Sequence, residues 1–66
     1  MDNLVKELRT AAGLRQEDLA GRVGVSRQTI ISIENGRYNP SLELAWKLSR
    51  VLGTTIEGLF RFPEGD

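Results

Sequence analysis

Cysteine and histidine are both absent from this sequence of 66 residues. Without thiols there is no disulfide framework and no thiolate metal site, and without imidazole the commonest zinc ligand and the commonest general base are missing as well. Catalysis would have to run on carboxylates alone. Glu17 with Asp18, and Glu43 by itself, come with no orienting base and no metal set, so the residues argue against an enzyme and imply no cofactor. Long apolar runs are lacking too: nothing approaches the roughly 18 residues of a membrane span, and the opening MDNLVKELR has no apolar signal-peptide core. A cytoplasmic protein without a membrane partner is the expectation. The last absence is net charge, since nine basic and nine acidic residues cancel.

Length sets the next bound. A chain of about 60 residues buries only roughly 60% of its unfolded surface, so residues 1–66 form one domain near the lower limit for a self-supporting core. Self-association would add buried area.

What is present is helical punctuation, densest in residues 16–36, QEDLAGRVGVSRQTIISIENG. Leu19, Ala20 and Val23 fall on one face of a 3.6-residue period, and Ile30 and Ile33 repeat the pattern in the following segment. Both segments therefore need a common core. Gly24 between them suits the left-handed conformation that ends a helix, and Ser26 can cap the next one. A turn of about three residues, with small Ala20 at the crossing, predicts a steep packing angle that pushes the second helix outward at its N-terminal end. With Ile30 and Ile33 turned inward, Arg27, Gln28, Ile31 and Ser32 cannot all share their face.

The rest of the chain reads as helix with little linker. Leu4, Val5, Leu8, Ala11 and Ala12 make a first amphipathic helix stopped by Gly13; the second runs over residues 16–23 and the third over 26–35. Asn39 before Pro40 is pushed out of the helical region, and Ser41 caps a fourth helix. Leu42, Leu44, Ala45, Trp46, Leu48, Val51 and Leu52 give that helix a wide apolar face, which makes it the central buried helix, with Trp46 packed in the core rather than stacked on a base. Thr55 caps a short fifth helix. Phe60, Arg61 and Phe62 then alternate like a brief β-strand closed by Pro63. Gly21 and Gly58, inside helices at about 1 kcal/mol each relative to Ala, suggest close backbone approach.

LRQEDLAGRVGVSRQTIISIENG followed by RYNPSLELAWKLSRVLGTTIEGLF resembles the Xre family of helix-turn-helix regulators, the group of the phage Cro and CI repressors. The resemblance runs from about Leu4 to Phe60. It implies an all-α, five-helix lambda-repressor-like domain with the helix-turn-helix at about residues 16–35 and a dimerisation segment at about 55–63. It also implies a sequence-specific transcriptional regulator, a repressor, that binds an inverted-repeat operator in double-stranded DNA as a homodimer. An antitoxin-like protein-interaction module with secondary DNA binding is the alternative reading.

The resemblance assigns roles by position. Arg27 and Gln28 match the first base-reading positions, where Arg can fork onto guanine O6 and N7 and Gln onto adenine N6 and N7. Ser32 matches another reading position, and Ile31, usually polar in the family, can meet a thymine methyl. Gln16 matches a residue that bonds a phosphate and braces a base-reading side chain. Ser26, Asn35, Gly36, Arg37 and Tyr38 match the amides and side chains that grip neighbouring phosphates. Arg15 stands where the family commonly has a Ser or Thr cap, leaving the second helix less well capped and adding a charge near a phosphate. Arg9 and Glu34 match a structural ion pair tying the first helix to the third.

Charge and the C-terminal segment complete the expectation. Residues 15–37 hold four arginines against Glu17, Asp18 and Glu34, whereas the acidic surplus lies further on, with Glu64 and Asp66 at the end. A locally basic face on a neutral protein binds DNA through fewer phosphates and with a shallower salt dependence. Ile56, Leu59, Phe60 and Phe62 are too many large apolar groups for a small monomer to expose, which marks them as a dimer interface unless they fold back over the first and fourth helices.

Overall fold

Among the described residues, 1–62 of the computed structural model, five helices follow one another: α1 (Val5–Ala11), α2 (Gln16–Val23), α3 (Arg27–Glu34), α4 (Leu42–Val51) and α5 (Ile56–Leu59). Pro63, Glu64 and Asp66 lie outside the described residues, and with them the end of the 55–63 segment.

Local chemistry accounts for the boundaries. Ser26 Oγ accepts from Thr29 N–H at 3.2 Å, Ser41 Oγ from Leu44 N–H at 3.2 Å, and Thr55 Oγ1 from Gly58 N–H at 2.9 Å. Each satisfies an orphan donor and contributes about 1 kcal/mol. The turn between α2 and α3 depends on Gly24, whose φ of 76° is the left-handed conformation that lets Val25 N–H close on the Ala20 carbonyl at 3.0 Å. The same closure recurs after the other helices, from Leu14 to Arg9, Arg37 to Ser32 and Thr54 to Ser49.

α2 packs on both α3 and α4, and α1 on α3, around a shared core of Leu19, Ala20, Val23, Ile30, Ile33, Leu44, Ala45 and Leu48, with Val5, Leu59 and Phe60 completing it. α3 thus gives its Ile30 and Ile33 side to the interior and leaves the start of the helix free.

Four expectations change. Phe60–Arg61–Phe62 is no strand: only Phe60 pairs, in a single antiparallel bridge with Asn3, because α5 ends at Leu59 and α1 begins at Val5, leaving no length for a ladder. Trp46 is 54% exposed and Leu42 77%. Both lie on the row 42–46–50, beside the Leu44–Ala45–Leu48 face that meets α2, and one helix side is all the neighbours can cover. Ala11 and Ala12 are exposed, so α1 is anchored by Val5 with Leu8 packed behind it. Gly21 has nothing within 4 Å of where a Cβ would stand and owes nothing to close approach, whereas a Cβ at Gly58 would come within 2.6 Å of Thr54 Oγ1.

Candidate nucleic-acid interface

The first turn of α3 carries Arg27 and Gln28, both exposed, at a helix N-terminus whose partial positive charge adds to that of the guanidinium. Among the described residues neither Arg27 nor Arg37 is in an ion pair. Ser26 turns its hydroxyl to Thr29, accepting from the backbone N–H at 3.2 Å and meeting Oγ1 at 3.0 Å, so it fixes the start of the helix and offers its backbone N–H to a phosphate. Ser32 and Ile31 are half-buried further along. After Asn35, the C-cap, Gly36 turns the chain at φ 74° and presents Arg37 and Tyr38 to solvent.

Behind this surface lies a polar cluster joining the start of α2 to the end of α3. Arg9 Nε meets Glu34 Oε2 at 2.7 Å, the two side chains being 12% and 4% exposed, and Arg9 also donates to the Leu14 carbonyl at 2.8 Å. Gln16 Nε2 donates to the other carboxylate oxygen, Glu34 Oε1, at 3.0 Å. Every oxygen of Glu34 is thereby used. Gln16 braces the end of α3, and the Glu34 charge is matched by Arg9.

Arg15 is held differently. Its backbone N–H donates to Asp18 Oδ2 at 2.9 Å and its guanidinium reaches the same carboxylate at 3.1 and 3.3 Å, with Glu17 at 3.8 Å. A guanidinium has no acceptor, so the cap runs one way only, from residue 15 to the carboxylate three residues on. The side-chain hydrogen bond from Arg15, seconded by its backbone N–H, holds the Asp18 carboxyl below the usual carboxylate range, and the same bond raises Arg15. A depressed carboxylate stabilises the fold above its unfolded value and loses that contribution as pH falls through the folded one. In this exposed pair the effect is small.

The apolar residues divide in a way composition does not reveal. Leu59 and Phe60, expected at a dimer interface, are 1% and 3% exposed and sit in the chain's own core, Phe60 showing only an edge to the recess beside it. They fold back because α5 lies along α4 and Leu4 N–H holds the Leu59 carbonyl at 2.9 Å. Ile56 is half-buried, and Phe62 is 49% exposed. With Leu42 they line an apolar recess that also takes in Pro40, Ala45 and the edge of Phe60. Asn3 is the residue that pattern reading passes over; the available signal is an Asn two positions before a helix.

A family model described as helix-turn-helix matches residues 5–59. An uncharacterized HTH-type transcriptional regulator of Methanocaldococcus jannaschii is 48% identical over 66 residues, the full length of both chains. Another, from Methanothermobacter thermautotrophicus, is 54% identical over 65 residues, 97% of this chain and 94% of its own. The crystal structure of the restriction-modification controller protein C.AhdI from Aeromonas hydrophila superposes with a TM-score of 0.77 at 41% identity over 85% of each chain. The five helices are the lambda-repressor-like arrangement, and the chain belongs to the Xre-type helix-turn-helix family as a transcriptional regulator with a helix-turn-helix DNA-binding domain.

Proposed function

We propose that two copies of this chain assemble about a two-fold axis, read an inverted repeat in duplex DNA and repress transcription by covering promoter sequence. The observation that carries the reading is the division of α3: Ile30 and Ile33 are fully buried while Arg27 and Gln28 stand free at a capped N-terminus. A helix so divided enters the major groove with its first turn against base edges. Arg27 takes guanine and Gln28 adenine, with Ser32 and Ile31 one turn deeper. Arg37, Tyr38, the Ser26 amide, the Asn35 side chain, and Arg15 with Gln16 hold the flanking phosphates, while the Asn35 and Gly36 amides close on the Ile31 and Ile33 carbonyls and shape the loop. A two-fold dimer sets the two α3 helices about 34 Å apart, one turn of duplex, a span compatible with a chain 35 Å in its longest dimension. The recess lined by Leu42, Ile56 and Phe62, with exposed Trp46 one turn along α4 from Leu42, is the face that pairs.

Selection of bound duplexes from a random pool tests this directly, and an unstructured or non-repeated selected site would sink it. In anisotropy titrations, Arg27→Ala is expected to lose about 1–3 kcal/mol of discrimination at a single base pair, while Arg37→Ala weakens all duplexes alike and lowers the salt slope by roughly one. Unchanged preference in Arg27→Ala removes it from base reading.

Arg15 gives a prediction of opposite sign. Asp18 and Glu17 hold its guanidinium, so a phosphate must compete with them. Asp18→Asn keeps an oxygen for the Arg15 backbone N–H but gives up the charge. Duplex affinity is expected to rise, and the slope of log K against log salt to steepen by about 0.9, the increment of one phosphate contact. An unaltered slope would mean that Arg15 does not reach the backbone.

A further inference from the structure

Residues 2–4 belong to no helix, yet they join three parts of the molecule. Asn3 faces Phe60 in the antiparallel bridge, closed on one side by Leu4 N–H donating to the Leu59 carbonyl at 2.9 Å and on the other by Arg61 N–H donating to the Asp2 carbonyl at 2.8 Å. Residues opposed between such bonds form a non-hydrogen-bonded pair, whose side chains stand close together on one face. Phe60 is in the core on that face, and Asn3 is carried in beside it, half-buried. Its Nδ2 donates to the Ile33 carbonyl at 2.8 Å and to the Met1 carbonyl at 3.1 Å, while its Oδ1 accepts from Val5 N–H at 3.1 Å. One amide therefore satisfies an orphan donor at the start of α1 and gives a second donor to a last-turn carbonyl of α3.

We propose that Asn3 is a positioning residue for DNA reading, fixing the end of α3 and the phosphate loop that follows it. The Ile33 carbonyl that it holds also accepts Gly36 N–H at 2.9 Å, the bond that starts the turn into Arg37 and Tyr38. The packing there is close: a Cβ on Gly36 would lie 3.4 Å from the Met1 carbonyl oxygen. Through Asn3, the far end of the reading helix is tied to residues 59–61, just before Phe62 on the face assigned above to the dimer. Asp has no donor for Ile33, and Ser has an acceptor for Val5 but not the reach to α3.

The inference rests on the DNA reading proposed above, and its test separates the two. Asn3→Asp and Asn3→Ser both keep an oxygen for Val5 N–H and both lose the donor to Ile33. For each, affinity for a selected operator and for a random duplex is measured by anisotropy, and exchange of the Gly36 and Arg37 amides is followed by NMR. The operator-to-random ratio is expected to fall roughly three- to tenfold, the span of one hydrogen bond, with faster exchange at Gly36 and Arg37 but not at Val23 in α2. The charge introduced by Asn3→Asp lowers both affinities and cancels in the ratio. Ser49→Ala, which removes the buried bond from Ser49 Oγ to the Trp46 carbonyl in α4, is the control for stability loss and should leave the ratio unchanged. Should Asn3→Asp fail to fold, Asn3→Ser decides. An unchanged ratio in Asn3→Ser, or a fall no larger than that of Ser49→Ala, overturns the positioning role; a wild-type protein that selects no sequence overturns the DNA reading instead.

Discussion

Glu34→Ala is expected to lower the unfolding free energy by about 3–5 kcal/mol, the cost of leaving one member of a buried ion pair without its partner. Arg9 keeps its bond to the Leu14 carbonyl but has no anion against its Nε, and Gln16 loses the acceptor for its amide. Single cores below about 70–80 residues seldom supply more than about 3–5 kcal/mol, so the variant should have little or no cooperative urea transition at 25 °C. Circular dichroism reads this directly. The double replacement Arg9→Met with Glu34→Leu removes both charges and should recover most of the loss, since buried pairs exchanged for apolar residues of similar volume are often near neutral. Gln16 would still lack its acceptor, and DNA affinity should therefore recover less than stability. A cost below about 1 kcal/mol for Glu34→Ala, the range of exposed pairs, would show that water reaches the cluster and that it does not hold α3.

How far such features are legible in the sequence depends on how far apart their parts lie. Ser26, Ser41 and Thr55 cap amides only three residues ahead, and Gly24 turns the chain within its own neighbourhood, so helix boundaries follow from local pattern. The inward side of α3 is legible for the same reason, Ile30 and Ile33 being three apart on one short helix. The pairing of Arg9 with Glu34 follows from family resemblance and not from spacing. What pattern cannot supply is which of several apolar faces finds a neighbour. α4 has more apolar surface than α2 and α5 can cover, so Leu42 and Trp46 stay outside, while Leu59 and Phe60, at the end of a helix too short for its own periodicity to be informative and just past it, are drawn in. Asn3 shows the limit most clearly: its partners, Ile33 and Phe60, are brought to it only by the complete fold.

That division between inside and outside yields the second large effect. Leu59→Asp is expected to unfold the chain rather than to separate two folded copies. Its side chain is 1% exposed; truncating a buried Leu alone costs about 2–5 kcal/mol, and placing a carboxylate there adds a desolvation cost. The sum exceeds the reserve of a domain this small. Leu42→Asp with Phe62→Asp should do the opposite. Both sites are open to solvent, where substitutions usually change stability by no more than about 0.5 kcal/mol. At residue 42, the first of α4, a carboxylate also meets the positive end of the helix dipole. The double variant should therefore keep its helical signal, melt below the wild type by no more than the stabilisation that dimerisation adds, and scatter light as a single chain of 7.4 kDa where a dimeric wild type would scatter as two. Operator affinity should fall on the order of 10²-fold, because the second half-site is no longer engaged at high effective concentration, whereas binding to a single half-site should hardly change. If Leu59→Asp instead gave a folded monomer, the interface would have to run through α5 and the core would have to open to form it. A wild-type mass of one chain at micromolar concentration would remove the dimer altogether and leave α3 to read a single half-site.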